Sequence, residues 1–205
     1  MYTVSHHIAE IDNKDYIAHY RDAEKFIVYC QKCMRYNACW ACPPFDFDVE
    51  AYISSYKTAY IVGTKIVVDA DVRTRYTGWE QCTKVSYQMI EEVRKDLDKN
   101  LLELETAYLG SRAFFTGTCH ICPAEKCARI IGKPCIAPDK IRPPLEAFGF
   151  DISKTSSQLL NIEMKWSREG ILPEYFTLVS GLFSNKEIDE QIIIKQLHKP
   201  TAKCQ

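Results

Sequence analysis

Eight of the ten cysteines in this chain fall into two compact sets. The first set is Cys30-x2-Cys33-x5-Cys39-x2-Cys42, and the second is Cys119-x2-Cys122-x4-Cys127-x7-Cys135. Two residues between cysteines allow both sulfurs to turn toward one centre, and thiolate sulfur is a soft ligand that selects zinc, copper(I) or iron–sulfur groups. The spacing therefore predicts that all eight cysteines are metal ligands, four at each of two sites.

The gaps between the cysteines indicate which metal group they bind. A structural zinc site usually joins two CxxC turns that lie about 12–20 residues apart. Here the longest gap within either set is seven residues, and Pro43 and Pro123 directly follow cysteines, as in ferredoxin loops. These features predict iron–sulfur clusters, two of the [4Fe-4S] type, in loops that point backbone N–H groups at the sulfurs. Zinc at one or both sites stays the alternative.

Other residues near the two sets are assigned simpler roles. Cys82 and Cys204 stand apart, so we expect both to be inert thiols. His120 lies inside the second set, but four cysteines already complete a site there, so we expect it to be a loop side chain. Tyr36 and Trp40 lie inside the first set, where we expect them to shield the metal group from water.

Composition argues against several classes of function. The 26 basic and 27 acidic residues give a net charge of -1 without a charged block, so a nucleic-acid partner is not expected. No stretch approaches the ~20 apolar residues of a membrane span, and the N-terminal segment lacks the pattern of a signal peptide. We therefore expect a cytoplasmic protein, in which thiols stay reduced and clustered cysteines bind metal rather than form disulfides.

The length of 205 residues suits one domain. We expect residues 1–184 to form a single metal-binding domain and residues 185–205 to form a polar C-terminal tail. The segments rich in β-branched and aromatic residues predict strands at 2–11, 58–68, 112–116 and 175–183.

The clearest predicted helix runs over about residues 80–104, where apolar residues recur every four positions from Val85 to Leu101. Helices and strands do not alternate in a regular βαβ rhythm. The sequence therefore predicts an α+β fold, with an antiparallel or mixed sheet of about four strands, helices on one side and two cysteine-rich metal loops.

Several spaced motifs resemble one known family. They are Trp40-Ala41-Cys42-Pro43-Pro44, Gly117-Thr118-Cys119, Gly132-Lys133-Pro134-Cys135 and the run from Arg142 to Ile152. In this order, over about residues 25–183, they are similar to a bacterial and archaeal family of cysteine-rich "predicted metal-binding proteins" of unknown function. The chain departs from the family pattern at Pro144, where a small polar residue is usual, and in a longer loop after Cys122. The resemblance implies metal binding and does not supply a reaction.

Three functions follow from these observations and stay open at the level of sequence. The first is electron transfer, in which the clusters serve a protein redox partner in an anaerobic enzyme system. The second is an enzyme whose cluster binds substrate at a labile iron, with Glu146, Asp139 or Asp151 as acid or base; no catalytic residue is assigned. The third is a zinc-binding module for protein interaction.

Overall fold

The computed structural model describes residues 1–199, which form helices around a four-stranded sheet. Neighbouring strands all pair antiparallel, in the order β1-β2-β4-β3. The strands are β1 (Tyr2–Asp12), β2 (Thr58–Val68), β3 (Ser111–Phe114) and β4 (Tyr175–Ser184). The α-helices of the described residues are α1 (Asn13–Tyr20), α2 (Ala23–Gln31), α3 (Val49–Ser54), α4 (Ala70–Arg75), α5 (Trp79–Ala107), α6 (Ile152–Lys154) and α7 (Glu190–Leu197). The predicted α+β class and the four-stranded sheet are confirmed.

The two central strands, β2 and β4, are apolar on both faces. They pair from Thr58 with Ser184 to Val67 with Tyr175. The consecutive residues 59–62 are all fully buried. Because successive strand residues point to opposite faces, this burial requires packed elements on both sides of the sheet.

Helices α5 and α7 cover the first face of the sheet. Met89, Val93, Leu97 and Leu101 form a buried stripe along α5, as the four-residue recurrence predicts. Tyr60 of β2 is buried in the same core. Neither α5 nor any other helix in residues 1–199 carries an apolar segment long enough to cross a membrane.

Helices α1 and α3 and a 3₁₀ turn at Leu145–Phe148 cover the second face. Tyr16 of α1 stacks on Phe150 with ring centroids 4.6 Å apart, and Ile53 and Phe183 are buried beside them. The prediction that helices lie on one side of the sheet is therefore wrong. The physical reason is that β2 and β4 carry apolar side chains on both faces, and each face needs a cover.

The segment after β4 packs against the domain as far as the structure describes it. Ile193 and Leu197 of α7 are buried in the core shared with α5. The side chain of Asn100 donates hydrogen bonds to the carbonyls of Leu197, at 3.4 Å, and Lys199, at 3.0 Å. Part of the segment predicted to be a polar tail thus contributes to the core between the first face of the sheet and α5, which we call the first core.

Candidate metal centre

The first cysteine set begins at the end of α2 and continues through tight turns. Cys30 lies in the last turn of α2. The N–H of Cys33 donates to the carbonyl of Cys30 at 2.9 Å, and the N–H of Cys42 donates to the carbonyl of Cys39 at 3.0 Å. The same type of turn therefore closes each CxxC pair.

The second cysteine set lies in the loops that follow β3. Short 3₁₀ turns at Ala124–Lys126 and Ala128–Ile131 fold this segment back on itself. Gly132 ends the second turn with a φ of +65°, a left-handed conformation that costs glycine little. These turns keep Cys122, Cys127 and Cys135 in a small region.

Backbone N–H groups point at cysteine sulfurs in both sets. The N–H of Arg35 lies 3.5 Å from Cys33 Sγ, and the N–H of Ala137 lies 3.4 Å from Cys135 Sγ. The prediction that the loops direct N–H groups at sulfur is confirmed at these two cysteines.

Arg129 joins the two cysteine loops. From the second loop, its guanidinium donates to the carbonyls of Cys39, at 2.9 Å, and Cys42, at 2.6 Å, in the first. The same guanidinium lies 5.1 Å from the centre of the Trp40 ring. In return, Trp40 Nε1 donates to the carbonyl of Lys133 at 3.0 Å. The two loops therefore form one interlocked unit.

A buried polar network fixes the start of the second loop on α5. Arg94 donates to the carbonyl of Thr118 at 2.5 Å and to Glu91 at 2.7 Å. The ring nitrogens of His120 lie 2.8 Å from Glu91 Oε2 and 3.1 Å from Asp98 Oδ2. Since both nitrogens of His120 meet carboxylates of α5, the structure agrees with the expectation that this histidine is a loop side chain.

The charges in this network shift the pKa values of its members. The hydrogen bond to Asp98 raises the pKa of His120 against the opposing effect of burial, and the bond to Glu91 adds to the increase. Burial raises the pKa of Asp98, although His120 and Arg94 oppose it. The network therefore favours a protonated His120 between two carboxyl groups.

A hydrogen-bonded ion pair connects the end of the second cysteine loop to α5. Arg142 donates to Glu105 through Nε, at 2.8 Å, and through Nη2, at 2.6 Å. Glu105 also accepts the backbone N–H of Ala113, in β3, at 2.8 Å. Although burial acts to raise it, the hydrogen bonds from Arg142 and Ala113 lower the pKa of Glu105. One carboxylate thus joins the helix, the sheet and the cysteine loop.

Cys39 lies at the boundary between the two cysteine sets. Its thiol contacts the thiol of Cys42, in its own set, and that of Cys119, in the other. Hydrogen bonds from Cys119 and Cys42 lower the pKa of Cys39. The bond to Cys39, followed by burial, raises the pKa of Cys42 and of Cys119. Cys39 therefore lies against a thiol of each cysteine set.

The eight cysteines line two neighbouring cavities, and the division differs from the division in the sequence. Cys39 joins the four cysteines of the second set around one small cavity. The remaining three, Cys30, Cys33 and Cys42, line a cavity of about 180 Å³ together with Thr118 and Glu146. We call the first the five-cysteine group and the second the three-cysteine group. The structure thus brings the predicted ligands together as five and three rather than four and four.

Glu146 is the carboxylate of the three-cysteine group. It lies in the 3₁₀ turn Leu145–Phe148, which packs under α2. Burial raises its pKa to about 7, against the opposing effects of its own N–H, the Arg94 charge and the Gly117 N–H. The two other acids that the sequence offers lie elsewhere, because Asp151 caps α6 and Asp139 lies in the turn Pro138–Lys140. Neither of these two lines the cavity of the three-cysteine group.

The isolated cysteines lie outside both groups or outside the described residues. Cys82 is buried in the first core, where its thiol donates to the carbonyl of Gly170 at 2.9 Å. This position fits the prediction of an inert thiol. Cys204, which received the same prediction, lies outside the described residues.

Sequence reasoning did not identify the residues of α5 that hold the loops. Arg94 and Asp98 are buried on α5, close to the apolar stripe. A charged pair spaced four residues apart beside a core-facing stripe is a signal that could have identified them, because buried charges are paired in folded proteins. Glu105 carries no such signal in the sequence.

The fit of a metal group depends here on the chemistry of the donors. All nine cysteines within the described residues are free thiols. Among residues 1–199, no three His, Cys, Asp or Glu side chains converge as a single metal ion requires. The cavities do combine thiols with the cationic side chain of Arg35. Such a donor set suits a thiolate-bound metal group, either zinc or an iron–sulfur cluster.

Comparison with known proteins supports a metal cofactor. A family model described as "Predicted metal-binding protein (DUF2284)" matches residues 16–183. No curated protein and no solved structure matches the chain significantly. Because the family match spans all eight clustered cysteines and most of the chain, this protein belongs to the DUF2284 family of predicted metal-binding proteins.

Proposed function

We propose that this chain is an iron–sulfur protein that carries clusters on its two cysteine groups and passes single electrons to a protein partner. The observation that carries the proposal is the position of Cys39, which belongs to the first cysteine set by sequence but lines the cavity of the second. Metal groups on either side of this thiol are near neighbours. An electron can then move between them within one protein.

The proposal assigns one cluster to each cysteine group. The four thiols of the second set hold one [4Fe-4S] cluster, and Cys30, Cys33 and Cys42 hold the other. A bound cluster supplies one-electron chemistry. The side chains around it set its potential through charge, hydrogen bonds and exclusion of water. Arg129 and Trp40 are placed for this role, because they lie over the backbone that joins the two groups.

Exposed apolar side chains around the cysteine loops support a protein partner. Met34 is 84% exposed, Ile136 is 76% exposed and Ile131 is 68% exposed. Exposed apolar side chains on loops that hold a redox group offer contact area to a partner, and electron-transfer complexes need only small interfaces. We propose this rim as the docking surface of the redox partner. Free thiols of this kind suit a reducing compartment such as the cytoplasm.

Metal and sulfide analysis of the full chain, purified without oxygen, tests the proposal. We expect a brown protein with about eight iron and eight sulfide per chain. A Cys82→Ser variant is the matched control, since this cysteine is buried in the first core and should leave the count unchanged. A colourless protein that contains zinc and no sulfide would overturn the proposal in favour of a zinc-binding module.

A further inference from the structure

The three-cysteine group opens into a second, larger cavity. This cavity has a volume of about 340 Å³, within the range of small-molecule sites. It shares Cys30, Pro43, Glu146 and Ala147 with the cavity of the three-cysteine group. Glu146 therefore stands at the junction between the thiols and the larger space.

The walls of the larger cavity are apolar. Ile27 of α2 lines this cavity together with Phe45, Val49 and Phe148. The rings of Phe45 and Phe148 stack with centroids 4.9 Å apart and an angle of 16° between planes. This stack forms a flat wall of the kind that aromatic or aliphatic rings contact well.

The charged residues of the larger cavity differ in their hydrogen bonds to the protein and in their exposure. Arg21 donates to the carbonyl of Phe148 at 2.7 Å and to Glu50 at 2.5 Å, which fixes its guanidinium to the wall. Glu24 lies exposed on α2. Glu146 lines both this cavity and that of the three-cysteine group, as Cys30 does. With Arg21 bonded to the wall and Glu24 exposed, Glu146 is the polar group where the two cavities adjoin.

We infer that this cavity binds a small, mainly apolar molecule with a single hydroxyl or amine group, and that its polar end lies at Glu146 beside the three-cysteine group. A carboxyl group exchanges hydrogen bonds with either of these groups, while Ile27, Phe45 and Phe148 cover the apolar part. The placement next to a cluster rests on the proposed function, whereas the binding cavity does not.

Benzyl alcohol and toluene form a matched pair of probes, because they differ in the hydroxyl group. Binding to the full-length, anaerobically purified protein is measured by ligand-observed NMR titration. We expect benzyl alcohol to bind about tenfold more tightly than toluene, since its hydroxyl adds a hydrogen bond to Glu146 that toluene cannot make. Glu146→Ala should remove this difference, and Glu103→Ala, at an exposed glutamate that does not line the cavity, should preserve it.

A cavity-filling variant tests the location independently of Glu146. Ile27→Trp should weaken binding of both probes about tenfold or more, because the indole occupies the chamber. Val28→Trp is the matched control, since Val28 is the next residue of α2, is 45% exposed and does not line the cavity. Equal binding by both tryptophan variants, or no binding of benzyl alcohol to the wild type, would overturn the inference.

Electron paramagnetic resonance (EPR) separates this inference from the proposed function. Benzyl alcohol should shift the spectrum of the reduced wild-type protein and leave that of Ile27→Trp unchanged. Benzyl alcohol that binds a chain without iron would support the cavity and overturn the proposed function. An iron–sulfur spectrum without any binding would support the proposed function and overturn the cavity.

Discussion

Glu105→Gln is expected to destabilise the fold, because this carboxylate joins three parts of the molecule. Its oxygens accept two hydrogen bonds from Arg142, at 2.8 and 2.6 Å, and one from the Ala113 N–H, at 2.8 Å. The side chains of Glu105 and Arg142 are 13% and 8% exposed. Removing one partner of such a buried pair leaves an uncompensated charge and costs about 3–5 kcal/mol.

Glutamine keeps one acceptor oxygen, so we expect the lower end of this range, about 3 kcal/mol in the free energy of unfolding. For a chain of this size, that corresponds to a decrease in Tm of about 6–12 °C. The assay is urea unfolding of the full chain, followed by circular dichroism. Glu103→Gln is the control, because Glu103 lies on the same helix but is 49% exposed, and we expect a change within about 0.5 kcal/mol.

The pH dependence gives a second readout of the same carboxylate. The pKa of Glu105 is lowered in the folded protein. Its contribution to the free energy of unfolding is therefore fully present above the ordinary glutamate pKa of about 4.3. It is lost as the pH falls through the folded-state pKa. The difference between wild type and Glu105→Gln should therefore be constant near neutral pH and shrink in acid. Equal stabilities of Glu105→Gln and Glu103→Gln would refute the reasoning.

Three further predictions follow from the site. Cys82→Ser should leave metal content unchanged, as checked by metal analysis, because this thiol bonds a backbone carbonyl in the core; a decrease would mean that the ligands are wrongly assigned. Arg129→Ala should lower the metal content of both groups, because it removes the bonds that join the loops, and the exposed Lys126→Ala should not. The raised pKa of His120 implies stabilisation that is complete below pH ~6.5 and is lost as the pH rises through the folded-state pKa. Urea unfolding of His120→Gln should therefore show a larger deficit relative to wild type at pH 6 than at pH 9, and a deficit independent of pH would contradict this view.

The strongly patterned elements could be predicted from sequence. The strand predicted at residues 58–68 has those bounds in the structure, and the helix predicted at about 80–104 spans Trp79–Ala107. The helix repeats its apolar residues every four positions, and the strand is a run rich in β-branched and aromatic residues. The packing of helices on the second face of the sheet was not predicted. Tyr16, Ile53 and Phe148 belong to short elements in which apolar residues do not repeat at a clear spacing.

The eight cysteines as metal ligands stay a prediction, and the way in which they line the two cavities differs from their division in the sequence. Spacing along the chain describes only local reach, and it placed Cys39 with the first set. The structure brings this thiol against Cys119, which lies far away in the sequence. That contact depends on Arg129 and on the hydrogen-bond networks from α5, and both form only in the folded chain.

The EPR spectrum of the reduced, anaerobically purified protein tests the central claim most directly. Two clusters on groups that meet at Cys39 lie close enough to interact magnetically. We expect a spectrum broadened by interaction between two reduced clusters, which simplifies to that of one cluster in Cys119→Ser/Cys122→Ser. A reduced protein without a signal, or with zinc in place of iron, would contradict the account.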